Sequence, residues 1–276
     1  MIECVIVKFF RLWEKKRQMR NLFFFNKLKF IIVLFSISLG LISTGCGGAE
    51  PDGSQVLAVA AASDLAKVAT PLAEAFERAH GFRVTFGLGA SGQLEQQIRQ
   101  GAPFDLYAPA ARSYCESLQR DGFLAGECNV YALGYLVAWS RDTPVRSLAE
   151  LQQKGNLRIA LANPRYAPYG LAAQQALEAS GLWQSLQPRL VFADSVSHAF
   201  QMAKTGNADV ALVARSLVRD ESGNALPVDP NLHQPIEQTA AVLRSSANQE
   251  AARSFLDFLS SPAARQILER YDFGQP

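Results

Sequence analysis

The chain has 276 residues but only three histidines and four cysteines. It contains no HExxH pair, no Walker-type loop and no DxDxDG loop, so no protein-bound metal centre is indicated. It also shows no internal repeat and no low-complexity tract. The apolar run at residues 30–42 (FIIVLFSISLGLI) falls short of the roughly 20 residues that a membrane span needs. An excess of positive charge is missing as well. The whole chain has 27 basic and 25 acidic residues, but residues 1–45 hold eight of the former and two of the latter, leaving 19 against 23, a net of −4. A mildly acidic body gives no footprint for nucleic acid and draws in no anion by its overall charge, so any anion site must be made locally.

What the N-terminus does have sets the compartment. Lys27 and Lys29 precede the apolar run, and Ser43-Thr44-Gly45-Cys46 follows it, which gives a basic region, an apolar region and a small-residue processing site. Ending on Gly-Cys, the segment resembles a bacterial lipoprotein signal with Cys46 as the lipidated first residue. Cleavage without lipid, or retention as an anchor helix, are the alternatives. Residues 1–18 precede a second methionine, Met19, that can serve as the start. Residues 1–45 are therefore left out of the fold argument, and residues 46–54 read as a Gly/Pro/Ser linker. Of the cysteines, only Cys115 and Cys128 remain in the body, thirteen positions apart. In an oxidising compartment they form either a disulfide or a pair of buried thiols.

Past the linker, short apolar runs alternate with segments of helical periodicity. Residues 56–62, 82–86, 104–108, 131–139, 157–161, 190–193 and 210–213 read as buried strands. Apolar residues recur at three and four through Leu65, Val68, Leu72, Ala75, Phe76 and Ala79, and again through Val196, Ala199, Phe200 and Ala203. Strands alternating with helices predict an α/β fold with parallel sheet covered on both faces. The length suits two lobes better than one. A late strand at 236–243 followed by two helices predicts a chain that returns to its first lobe.

The informative feature is what occupies the strand-to-helix junctions. They read Ala61-Ala62-Ser63-Asp64, then Gly87-Leu88-Gly89-Ala90-Ser91-Gly92, then residues 163–170 with Pro168-Tyr169-Gly170, and last Ala193-Asp194-Ser195-Val196-Ser197. Helix N-termini expose unpaired N–H groups and the positive end of the dipole. Several aimed at one point hold an anion without formal positive charge. Taken singly, Ser63 and Ser195 also fit plain N-caps, the glycines fit tight turns, and Tyr169 fits a core aromatic. Asp64 fits a first-turn acid facing the helix end, and it is the one acceptor near these junctions for an anion that carries a proton.

Two enzyme-like patterns compete weakly. Gly87 to Gly92 fits GxGxxG, but the following segment is short and mostly polar, unlike a dinucleotide-fingerprint helix. Ser91 lacks a GxSxG elbow, because Gln93 stands at the last glycine. A Ser91, His198, Asp194 hydrolase triad would have to be assembled from two junctions.

Across nearly all of residues 55–273 the sequence resembles the molybdate-binding proteins of bacterial ABC importers. The residues that carry this are Ala60-Ala61-Ala62-Ser63, Gly89 to Leu94 with Gln97-Ile98, and Gln100 to Asp105. Further on they are Asn163-Pro164 with Ala167-Pro168-Tyr169-Gly170, Thr205 to Asp209, Ser261 to Ala264 and Tyr271 to Gly274. The resemblance implies a two-lobe, type II-like periplasmic binding protein with parallel-rich sheets joined by a two-strand hinge. Residues 55–134 and 238–276 would make lobe one and residues 135–237 lobe two. It implies an exported, non-enzymatic, monomeric receptor without a cofactor, held at the membrane by its lipid. Such a receptor takes molybdate or tungstate between its lobes and passes it to permease and ATPase subunits; another tetrahedral oxyanion, phosphate-like or sulfate, is the alternative. Ser63 and Ser91 would donate from lobe one, and Tyr169 and the Val196 N–H from lobe two. The metal would be held only through its oxygens. Many members carry a tyrosine where this chain has Ala214, so the phenol donor is assigned to Tyr169.

Overall fold

The computed structural model describes residues 56–276. The signal-like segment, the lipidation candidate Cys46 and the linker at 46–54 lie outside the described residues. Among the described residues no helix is long and apolar enough to cross a membrane.

Two five-stranded mixed sheets organise the molecule. In the first, β1 (Val56–Ala62) runs parallel between β2 (Arg83–Gly89) and β3 (Leu106–Ala108), and β10 (Ile236–Val242) lies antiparallel between β3 and β4 (Asn129–Gly134). In the second, β6 (Ile159–Ala162) runs parallel between β7 (Leu190–Ala193) and β8 (Val210–Ala214). There β5 (Leu136–Ser140) lies antiparallel between β8 and β9 (Asn224–Pro227). The buried runs of Ala, Val and Leu in β1, β6 and β8 are what strands covered on both faces require. The chain passes from the first sheet to the second between β4 and β5, and returns between β9 and β10. These two passages are the covalent links between the lobes.

The single apolar run 131–139 of the sequence is therefore two strands in two different sheets, separated only by Tyr135. Nothing in apolar periodicity marks that break, because the residues on both sides of it are apolar.

Helix α1 (Ala69–His80) covers the first sheet with Leu72 and Phe76, and it stops at Gly81, whose φ of 77° is the left-handed C-cap conformation. The periodicity predicts that this helix begins near Leu65. Instead a three-residue 3-10 turn (Ser63–Leu65) follows β1, and α1 starts later. Pro71 supplies the reason. In a longer helix its missing N–H would leave the Lys67 carbonyl without a partner and its ring would crowd that turn, whereas in the first turn it costs nothing.

The remaining helices are α2 (Ser91–Arg99), α3 (Arg112–Arg120), α4 (Leu148–Gln153), α5 (Pro168–Ala179), α6 (Trp183–Leu186), α7 (Val196–Lys204), α8 (Arg215–Val218), α9 (Gln249–Leu259) and α10 (Pro262–Arg270). The ring of Phe76 meets Phe255 of α9 edge-on, with centroids 5.0 Å apart. The closing helices thus share the core of the first sheet.

Cys115, buried on α3, is joined by a disulfide to Cys128 at the foot of β4. A crosslink over so short a loop contributes about 3 kcal/mol, chiefly by restricting the unfolded chain. Replacing both cysteines by serine is expected to lower unfolding free energy by about that amount. Chemical denaturation of the variant beside the oxidised parent measures it, and a reductant should then have no further effect on the variant.

Candidate functional site

The junctions singled out in the sequence meet in one small cavity between the sheets. Ala62, Ser63, Asp64, Gly89, Ala90, Ser91 and Ala110 line it from the first lobe; Ala167, Pro168, Tyr169 and Val196 line it from the second. Its empty space, openings included, is about 190 Å³. The part of it that a water-sized body can occupy is only about 10 Å³, close to the least that one water needs. Ser63, Ser91, Tyr169 and Val196 are each 4 % exposed or less, so all four candidate ligands sit in a dry space.

Each candidate is placed there by its element. Ser63 ends the run of β1 and opens the 3-10 turn, so no helix dipole stands behind it, contrary to the expectation that every junction opens a helix. Its hydroxyl accepts a hydrogen bond from the Ser197 N–H at 3.3 Å, across the cleft in the first turn of α7. Ser91 is the first residue of α2 and caps nothing; its Oγ accepts from the Ala110 N–H at 3.2 Å, and its carbonyl accepts from the Tyr107 hydroxyl at 2.7 Å. Because both hydroxyl oxygens already accept, each retains an O–H to donate. The capping role fits Ser195 alone, whose Oγ accepts from the His198 N–H at 3.2 Å.

Val196 is the first residue of α7, Ser91 the first of α2 and Tyr169 the second of α5. Backbone N–H groups at those positions have no intrahelical acceptor, and three dipoles begin at the cavity. The Tyr169 hydroxyl is buried beside the Asp64 carboxyl and the Gln238 amide, with no hydrogen bond of good geometry to either. It reaches the inner end of β4, where a Cβ on Gly134 would overlap its oxygen; glycine at that crossing strand is what admits the phenol. Ala214 ends β8 without contributing a polar side chain, and it does not line the cavity.

One ionisable group was misplaced by sequence reasoning. Asp64 does not face a helix end. It is fully buried, and its Oδ2 accepts from Gln238 Nε2 at 2.7 Å while Oδ1 has no partner. Burial pushes its carboxyl up to about 7, against the lowering effect of its polar neighbours Tyr169 and Gln238. Burial, with the Asp64 charge adding to it, also raises the phenols of Tyr169 and Tyr131 well above their ordinary value. Gln238 was missed altogether. It stands between Glu237 and Thr239 in β10, so a polar residue there carries no local signal.

The competing patterns dissolve in three dimensions. Gly87 and Gly89 lie within strand β2 and make no phosphate-binding turn. The His198 side chain is about half exposed (52 %) and pairs at 3.8 Å with exposed Asp194, whereas Ser91 is fully buried. Among the described residues no three His, Cys, Asp or Glu side chains gather into a metal-holding group, and no lysine, arginine or histidine lines the cavity.

The lobes are held together around this space by a second set of contacts. The Gly92 N–H donates to the Tyr166 carbonyl at 2.8 Å, and a Cβ on Gly92 would press within 3.1 Å of the Tyr166 Cα. The Ser216 hydroxyl donates to the Asp64 carbonyl at 2.8 Å. Outside the cavity, Lys67 pairs with Glu221 at 2.9 Å, and Asp272 receives Arg215 at 3.1 Å and Arg219 at 3.7 Å. Lys204, at 2.8 Å, and Lys67 together hold the Glu221 carboxyl below its ordinary pKa.

Comparison with known proteins fits this geometry. The family described as bacterial extracellular solute-binding protein matches residues 57–274. The molybdate-binding protein ModA of Rhodobacter capsulatus is 35 % identical over 235 residues, covering 82 % of this chain and 91 % of that protein. A putative ABC transporter substrate-binding lipoprotein, YvgL of Bacillus subtilis, is 25 % identical over 256 residues, covering 89 % and 98 %. The solved periplasmic molybdate-binding protein of Azotobacter vinelandii superposes with a TM-score of 0.75 at 32 % identity, covering 80 % of this chain and 99 % of that one. The chain, with its two mixed sheets closed over a pocket of neutral donors, belongs to the bacterial extracellular solute-binding proteins.

Proposed function

We propose that the protein captures molybdate or tungstate between its lobes outside the cytoplasm and delivers it to the permease and ATPase of an ABC importer. The observation that carries this reading is the donor set. Two serine hydroxyls whose oxygens already accept, a buried phenol with no hydrogen bond of good geometry and three helix N-termini line one cavity with no cation. A buried dianion costs many kcal/mol of desolvation, and here neutral donors must offset it. Hydrogen bonds to a charged group contribute about 1.5–3 kcal/mol each. Roughly half a dozen of them, less the cost of ordering and closing the lobes, correspond to a Kd between micromolar and nanomolar. Relatives named as molybdate-binding proteins are similar in sequence and, for the solved one, in overall fold. Ser63, Ser91, Tyr169 and the Val196 N–H are the proposed ligands to the anion's oxygens, and the metal itself meets no side chain.

Lobe one carries β1–β4 and β10 and lobe two carries β5–β9, so the return to lobe one falls at Ile236 and not at 238. Closure is of the hinge type, turning on the two interlobe passages. The Gly45-Cys46 processing site, together with the likeness to a substrate-binding lipoprotein, supports lipid attachment at Cys46 of a monomeric receptor.

Three measurements test this. In a thermal-shift series, molybdate and tungstate should raise the melting temperature and sulfate and phosphate should do so less; a shift from phosphate alone would overturn the assignment. Tyr169→Phe is expected to weaken molybdate binding by about 1–3 kcal/mol in calorimetry, whereas an unchanged affinity would place the phenol outside the shell. Glu221→Gln removes one interlobe ion pair. It should lower affinity by up to about fivefold, as for a partly exposed pair, and the loss should shrink at high salt as screening weakens the parent's own pair.

A further inference from the structure

Asp64 is a group that a shell of neutral donors does not call for. It follows Ser63 directly, lines the same cavity and is wholly buried. Gln238 Nε2 fixes Oδ2, and Oδ1 is left without a partner. The groups that face it come from four elements. They are the Tyr131 phenol on β4, the Tyr169 phenol on α5, the Gln238 amide on β10, and Ser216 on α8 through the Asp64 carbonyl. None is cationic, and no ion pair among the described residues reaches Asp64. An ionised carboxylate beside a bound dianion would put three negative charges in one dry space. Like charges so placed do not both persist; the weaker acid takes up a proton.

We infer that capture of a fully deprotonated oxyanion is coupled to the uptake of one proton, which comes from solvent, resides on Asp64 and is donated as an O–H to an oxygen of the anion. This rests on the oxyanion reading above and assigns Asp64 as a residue that sets which anions are favoured. An oxyanion that arrives with its own proton, such as hydrogen phosphate, would present that proton to the ionised carboxylate, and no net uptake would follow. The neutral carboxyl also withdraws the competing acceptor from beside Tyr169, leaving the phenol free to donate to the ligand.

The direction of the pH dependence follows. Burial alone already lifts the carboxyl to about 7, and an adjacent anion raises it further. Above pH 7 the unliganded protein therefore holds Asp64 ionised while the complex holds it protonated. Affinity then falls as pH rises, by about tenfold per unit while the complex stays protonated.

Calorimetric titration of the purified protein with sodium molybdate at pH 8, run in Tris and in HEPES, reads the coupling from how the heat depends on buffer ionisation. Uptake near one proton is expected for the unmodified protein and near zero for Asp64→Asn, whose affinity should be flat between pH 7.5 and 8.5. Heat that is independent of buffer in the unmodified protein overturns the proton coupling and leaves oxyanion capture standing. Full uptake retained by Asp64→Asn overturns Asp64 as its seat. Absence of any heat or thermal shift with molybdate, tungstate, sulfate and phosphate overturns both readings. If the variant fails to fold, the pH series on the unmodified protein decides: a tenfold loss per unit upholds the coupling and a flat profile overturns it.

Discussion

An anion site without a cation has to be built from backbone. A lysine in the pocket would attract many anions from one flexible arm, whereas N–H groups and hydroxyls are short, weak singly and useful only when several converge. Convergence is what this fold supplies. β1, β2, β6 and β7 each end at the same opening, and each leads into a turn or helix whose first N–H groups have no acceptor within their own helix. The cavity is lined from both lobes, so the shell is complete only when the lobes are together.

The small residues around the cavity follow from that demand. Gly92 lets α2 approach the loop at Tyr166 closely enough for a hydrogen bond across the cleft. Gly134 leaves room on the crossing strand for the Tyr169 phenol. The Tyr169 phenol enters from the first turn of α5, a different element from the end of β8, where Ala214 stands.

How much of this the sequence revealed depends on which physical signal each feature leaves. The alternation of strands and helices is written in apolar periodicity, and Ser63 and Ser91 stand out as small polar residues between periodic segments, whereas Tyr169 and Val196 follow only from the family resemblance. The break at Tyr135, where one apolar run becomes two strands of different sheets, leaves no such mark, because the residues on both sides of it are apolar. The late start of α1 was legible from Pro71 but is outvoted by Leu65 and Val68, which keep helical spacing while packing from an irregular turn. Asp64 is the instructive failure. An acid one residue after a strand ordinarily caps or faces a helix end, and only a partner 174 residues away, Gln238, shows that it turns inward. Long-range polar pairs have no local periodicity to betray them.

Turned inward, Asp64 changes how selectivity has to be argued. A shell of donors alone ranks anions by size and charge, and it prefers those carrying no proton because it has nowhere to place one. A carboxyl that can hold or release a proton removes that simple bias, since the same atom can donate to a bare dianion or accept from a protonated one. The preference then depends on which arrangement costs less: protonating a buried acid whose carboxyl already titrates near neutrality, or desolvating a second negative charge beside the ligand. Burial with no compensating cation favours the first. On this view the absence of lysine and arginine from the cavity does two things, keeping the site open to a dianion and keeping the acid within it neutral when the ligand is bound.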